Sequence, residues 1–185
     1  MKVWELRNAA VNEMAPLTYG SDEEMRSGMF DAKGLPLTWL SRPSVEYIAE
    51  PRKKKQKPRA DVSVLRPGAL VLNPKARDAL AAFLTQFGQL LEMSCEGDVR
   101  FFYNVTNVVD CIDPENSERR SSGSIVREVF FEDKVPSDAA IFKDPVMART
   151  RIYANEAAKA IVDKLVADAC ITGLMFTEPG AESQR

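Results

Sequence analysis

Residues 68–105 constrain the fold more than any other stretch of the chain. Ala69 to Leu72 is a short apolar run, followed by Asn73 and Pro74. An asparagine side chain accepts the free N–H groups of a first helical turn, and proline at the first helical position loses no needed donor. Ala76, Leu80, Phe83 and Phe87 then recur at spacings of three and four, which places them on one helical face. The pattern predicts a helix over 74–87, closed by Gly88 as a left-handed C-terminal residue. Leu90–Met93 and Val99–Val105 read as paired strands joined through Glu96-Gly97-Asp98. The result is a strand–helix–strand–strand unit able to seed a core.

The rest of the chain adds strands and one more helix. Met1–Leu6 reads as a first strand, 22–27 as a short helix, and Val45–Ile48 as a strand. The run Arg52–Arg59 carries six cations, with Pro51 just before it and Pro58 within it. Neither helix nor central strand suits it, so it reads as an exposed basic loop, 51–60. It sets off a candidate N-terminal subdomain, 1–50. Asp61–Leu65 begins the next strand. Val108–Pro114 reads as a strand that stops at Asp-Pro, Glu115–Gly123 as a polar loop, and Ile125–Phe131 as a half-buried strand. Short strands follow at 140–142 and 151–153.

Asn155 caps a second helix over 156–168, with Ala158, Ile161, Val162, Leu165 and Ala169 as its apolar stripe. Glu156 lies in its first turn, where the helix dipole favours an anion. Gly173 and the strand Leu174–Phe176 follow, and 178–185 reads as a fraying tail. Asn73 and Asn155 occupy matching places in two similar units. Either duplication or the rules of helix capping alone can produce that match. The fold class is α+β: a mostly antiparallel, curved sheet packed against two main helices.

Composition narrows the chemistry. The chain contains no histidine, which removes His-dependent triads, proton shuttles and metal ligands. Cys95, Cys111 and Cys170 form no C-x-x-C pair and read as buried free thiols. No apolar run has the length of a membrane span, and no signal-peptide pattern opens the chain, which points to the cytoplasm.

Several residues carry open alternatives. Asp110, Asp113 and Glu115 cluster about a predicted strand end. Such carboxylates serve turn chemistry, a partner contact, a divalent metal or acid–base work. With Glu118, Glu132 and Asp133 they form a candidate acidic partner-binding surface that mimics phosphate toward a basic cleft. The basic run serves as a solvated loop, a nucleic-acid contact or an acidic-partner contact. It has no interleaved aromatic to stack a base. Without its six positive charges the formal net charge of −2 becomes −8, and an acidic body disfavours general nucleic-acid binding. Trp4 and Trp39 are core residues or exposed anchors. Ser121-Ser122-Gly123-Ser124 lacks the phosphate-loop pattern and reads as a flexible loop.

Taken in order, these features resemble a known family. They are the first strand, Gly34-Leu35-Pro36-Leu37 with Trp39, and Leu70-Val71-Leu72-Asn73 entering a helix. Phe102-Tyr103-Asn104-Val105 leads to Val108-Val109-Asp110. Tyr153 enters the last helix, which closes at Thr172-Gly173-Leu174-Met175-Phe176. This order resembles the myxobacterial-type immunity proteins of bacterial polymorphic toxin systems, whose members follow toxin genes, including type VI secretion and Rhs-like effectors. The resemblance implies one immunity-type domain over 1–185. It implies a non-enzymatic cytoplasmic inhibitor that binds a cognate toxin tightly, occludes its active site and needs no cofactor. Homodimerisation is left open. Two competing readings are a nucleic-acid-associated or regulatory adaptor using 52–59, and a carboxylate-dependent enzyme.

Overall fold

The computed structural model describes residues 2–49 and 56–181. In chain order the first elements are β1 (Val3–Asn8), β2 (Leu17–Tyr19), α1 (Asp22–Arg26), β3 (Ser44–Tyr47), β4 (Val62–Ser63) and β5 (Leu70–Leu72). Then come α2 (Pro74–Leu84), β6 (Gly88–Cys95), β7 (Asp98–Val105), β8 (Ile112–Arg119) and β9 (Ile125–Phe130). The chain closes with β10 (Ile141–Phe142), β11 (Tyr153–Asn155), α3 (Glu156–Asp168) and β12 (Leu174–Thr177). The fold is α+β with a curved, mostly antiparallel sheet system.

One sheet runs β10-β11-β1-β12 and a larger one β2-β3-β6-β7-β5-β4. Every named strand pair is antiparallel except β3 with β6. Both faces of the larger sheet are covered, so its strands read as continuous apolar runs rather than as an alternation. Leu70, Leu72, Phe101 and Tyr103 face one core, shared with α2, α3 and Leu6 of β1. Val71, Phe102, Met93 and Cys95 face a second core, closed by Phe30 with Trp39 against it. A third core, on the other side of β1 and β11, holds Val3, Phe142 and Tyr153 under the β8–β9 hairpin. The two sheets meet where the backbone N–H of Val62 donates to Thr172 O at 3.0 Å. The Asn8 side chain donates to Val62 O at 3.4 Å across the same seam.

Both predicted caps form. Asn73 Oδ1 accepts from Ala76 N at 2.8 Å, and Asn155 Oδ1 accepts from Ala158 N at 3.0 Å. The Glu96-Gly97 turn between β6 and β7 has both residues at positive φ, 52° and 91°, as a tight hairpin turn requires.

Several expectations need correction. The helix predicted over 74–87 ends at Leu84, and Gly88 opens β6 instead of capping it. A Cβ there would lie 2.3 Å from Asn104 O, so glycine serves the close approach of two strands. The strand predicted over 108–114 opens only at Ile112, with Val108 in an isolated bridge to Lys143. Instead of stopping at Asp113-Pro114 it continues to Arg119, through most of the expected polar loop. It can do so because β8 is an edge strand whose register shifts between Asp113 and Glu118, leaving Pro114 no ladder bond to break. Ile161 belongs to the expected stripe of α3 yet is 39% exposed, because α3 rests on Ala158 and Val162. Cys95 and Cys111 are buried as expected, but Cys170 is exposed, in the turn after α3. Of the expected fraying tail, residues 178–181 form a turn against β9, and 182–185 lie outside the described residues. Residues 52–55 of the basic run also lie outside them.

Candidate functional site

β1 explains the site's floor. In an extended strand alternate side chains face opposite ways. Leu6 therefore enters the first core, while Val3, Glu5 and Arg7 turn toward the hairpin. Glu5 meets Arg151, whose Nη1 donates to Glu5 Oε2 at 3.0 Å and to Glu128 Oε2 at 3.0 Å. Tyr153 Oη donates to Glu128 Oε1 at 2.7 Å. Glu5 and Glu128 are both buried. Burial raises the Glu5 pKa, opposed by Arg151 and Arg7 and reinforced by Glu128. Burial, then Glu128, raises that of Tyr153. A buried charge persists only when paired and hydrogen-bonded, and this network meets that condition.

Above this floor lies an open cleft of about 850 Å³ between β1, the hairpin, the 147–151 segment and the 178–181 segment. A second cleft of about 620 Å³ adjoins it and shares Arg119, Ser124, Ile125, Met147 and Thr150, so the two form one furrow. Cations dominate its walls: Arg7, Arg119, Arg120, Arg127 and Arg151 line the first part, and Lys33 and Arg149 the second. Some of these charges are neutralised. Arg149 and Lys33 both pair with Asp31, at 3.3 and 3.5 Å. Arg119 is held differently, by neutral acceptors. Its Nη2 donates to Pro114 O at 3.0 Å and its Nη1 to Gly123 O at 2.7 Å, which fixes the guanidinium and leaves its charge unpaired. The Arg120 and Arg127 side chains have no hydrogen-bond or ion-pair partner among the described residues.

The predicted acidic residues all lie on or beside the hairpin but do not act alike. Asp113 holds the register shift of β8 in place. Its Oδ1 accepts from Glu115 N at 3.0 Å and Asn116 N at 3.1 Å, and its Oδ2 from Asn116 Nδ2 at 2.6 Å. The Asn116 side chain first, then the backbone N–H groups, hold its carboxyl below the usual range against the opposing effect of burial. Glu118 lies in register with Arg127 and lines the cleft. Asp110, Glu132 and Asp133 sit at the hairpin base, where Phe131 N donates to Cys111 O at 2.8 Å, and are exposed, as is Glu115. No group of three or more Cys, Asp or Glu that could hold a metal occurs among the described residues.

Arg59, the last cation of the basic run, is tied down: its guanidinium pairs with Glu96 at 2.6 Å and stacks over Tyr47 at 4.3 Å. Trp39 donates to Met29 O at 2.8 Å and packs beside Phe30 and Phe102. Trp4 is half-buried, and its Nε1 donates to Glu156 Oε2 at 2.7 Å. Among the described residues no helix is long and apolar enough to cross a membrane.

Sequence reasoning missed the furrow's buried ionic residues. In sequence Glu5 is only the acidic residue of the first strand, Glu128 one of the charged positions of the half-buried strand 125–131, and Arg151 a strand start. The one usable signal was the charge inside β1, because a central strand covered on both faces cannot hide a carboxylate without a cation. Lys143 was missed as well. It is fully buried, and its ammonium donates to Ala32 O, to Gly68 O at 2.7 Å and to Ala148 O at 2.8 Å. Its neighbour Asp144 accepts from Cys111 N at 2.9 Å and Ile112 N at 2.7 Å. No protein-family model and no curated protein matches this chain.

Proposed function

We propose that the chain is an immunity-type protein that neutralises a cognate bacterial toxin by tight non-covalent binding, with no chemistry of its own. The observation that carries this reading is the arginine-lined furrow, whose first cleft of about 850 Å³ has a satisfied ionic network as its floor and whose Arg119 is fixed by two backbone carbonyls. Arginine is enriched among the residues that dominate protein–protein binding energy. Holding such side chains in place before contact lowers the entropy cost of association. The residues stand on a hairpin anchored by Ile112, Ile125 and Phe130 in the third core, so the surface is supported from beneath. Asp110, Glu115, Glu118, Glu132 and Asp133 on the same hairpin supply charges of opposite sign, which favours orientation as well as attraction.

The test is co-expression with the protein encoded immediately upstream, scored by cell survival and co-purification. The expected outcome is rescue together with a complex that survives purification. A neighbour that is harmless alone, or that kills despite this protein, overturns the pairing. The rival readings make other demands. An adaptor binds nucleic acid with a steep salt dependence that neutralising the 52–59 run abolishes. A carboxylate enzyme shows turnover that falls when a carboxylate is converted to its amide.

A further inference from the structure

We propose that the furrow receives an acidic, partly apolar peptide segment of the partner protein, whose carboxylates pair with Arg119, Arg120 and Arg127. This inference rests on the binding reading above and specifies its chemistry. Three observations point to it. First, the three guanidinium groups come from the two strands and the turn of one hairpin, so they form one cationic wall. Arg119 keeps its full charge because its partners are neutral carbonyls, and Arg120 and Arg127 have no side-chain partner among the described residues. A guanidinium presents a planar fork of donors that matches a carboxylate in bidentate fashion.

Second, apolar groups interleave with these cations. Ile125, Val126, Met147 and Pro179 line the same cleft. A sugar–phosphate backbone has no use for such surface, whereas a peptide with alternating acidic and apolar side chains does. None of the lining residues is aromatic, so a nucleic-acid base would find no stacking platform there. Third, the acidic groups at the rim are placed to select. Glu178 is paired with Lys2 at 3.1 Å, and Glu118 lies in register with Arg127. Because Glu178 is neutralised by Lys2, the repelling group is Glu118: a carboxylate bound out of register would face it, and that repulsion fixes the position of an acidic ligand.

The experiment uses a short fluorescein-labelled peptide alternating Glu and Leu, with a Lys–Leu peptide and a single-stranded oligonucleotide of equal length as comparisons. Binding to the full chain is read by fluorescence anisotropy. The Glu–Leu peptide is expected to bind, the Lys–Leu peptide not to bind, and the oligonucleotide to bind more weakly than the acidic peptide. The double variant Arg120→Glu/Arg127→Glu is expected to lower affinity for the acidic peptide at least about tenfold. Arg26→Glu, on the exposed helix α1, is expected to leave it unchanged. Both furrow residues are exposed, so the double variant should melt within a few degrees of wild type, and Arg127→Gln gives a milder version of the same comparison.

Absence of binding by the acidic peptide overturns the inference, as does binding that both charge reversals leave intact. Tighter binding of the oligonucleotide, lost in the same double variant, overturns it in favour of a polyphosphate site. The two proposals fail separately. A toxin that co-purifies equally with wild type and the double variant preserves the immunity reading and removes this site. Arginine-dependent peptide binding without any rescue preserves the site and removes the immunity reading.

Discussion

Lys143 shows how much a single residue can hold in this molecule. Its ammonium has three donors, and three backbone carbonyls from separate segments take them: Ala32, Gly68 and Ala148. The lysine thereby ties the 30–40 segment to the loop before β5 and to the segment before β11. Burial, helped by the Arg66 guanidinium and opposed by Asp31, pushes its pKa down to about 7 from the ordinary 10.5. Between those two values the unfolded chain binds more protons at this site than the native protein does. The stability attributable to Lys143 therefore rises as pH increases across that window and is lowest below about pH 7. Lys143→Met keeps the volume but orphans three buried carbonyls, so it should cost about 3 kcal/mol or more in urea denaturation. The variant should also lose the part of the rise between pH 7 and 10 that wild type shows. An unchanged pH profile would mean that the lysine titrates as an exposed amine does.

At the scale of elements, the two Asn caps separate what is local from what is not. Their backbone geometries nearly coincide, with φ and ψ of −78° and 173° at Asn73 and −79° and 172° at Asn155. Their surroundings differ. Asn73 Nδ2 donates to Asp61, which also accepts from Thr172 and Lys75 near the surface. Asn155 is almost fully buried. Its Oδ1 also accepts from Ala140 N, and its Nδ2 donates to Pro136 O and Asp138 O. Asn73→Ala should cost the roughly 1–2 kcal/mol of a lost cap. Asn155→Ala should cost about 2 kcal/mol more, because it also strands buried backbone groups. Equal losses in denaturant midpoint would show that the buried contacts contribute nothing beyond capping. The strand β9 carries the same lesson. It is half-buried as its pattern predicts, yet the apolar Val129 is 42% exposed while the charged Glu128 is buried. Arg151 and Tyr153, arriving from β11 and its approach, reverse the preference by supplying partners for the carboxylate.

Across the whole molecule, the seam between the two sheets is the point where separate units become one body. Gly173 sits there with φ of +87°, and a Cβ would lie 2.2 Å from Val62 O and 2.6 Å from the Ala60 side chain. Gly173→Ala meets both a backbone conformation that L-residues avoid and a rigid carbonyl. The expected loss exceeds about 2 kcal/mol, and hydrogen exchange should show β4 and β12 losing protection together. Loss confined to β12 would mean that the seam does not couple the sheets. The furrow depends on the same global arrangement. Its floor joins residues 146 positions apart in Arg151 and Glu5, and its wall is a hairpin that belongs to neither large sheet.

Sequence by itself determined the elements whose cause is local. The Asn-capped starts of α2 and α3, the 156–168 span, the Glu96-Gly97 turn and the short strands β5 and β10 follow from spacing, capping and turn chemistry within a few residues. By contrast, β2 at Leu17–Tyr19 left no such signal, and the strand expected at 151–153 runs over Tyr153–Asn155. Those signals weaken where a distant partner decides. The helix α2 stops at Leu84 because Phe87 and Gly88 are drawn toward β7, and β8 runs past Pro114 because Asp113 secures its register shift. Tertiary structure alone decided which charges are buried. A carboxylate enters the interior only when a cation or backbone N–H groups are waiting there, as Arg151 is for Glu128 and Cys111 and Ile112 are for Asp144, and an ammonium only when carbonyls or an anion are. In this chain those partners come from strands and loops far away in sequence.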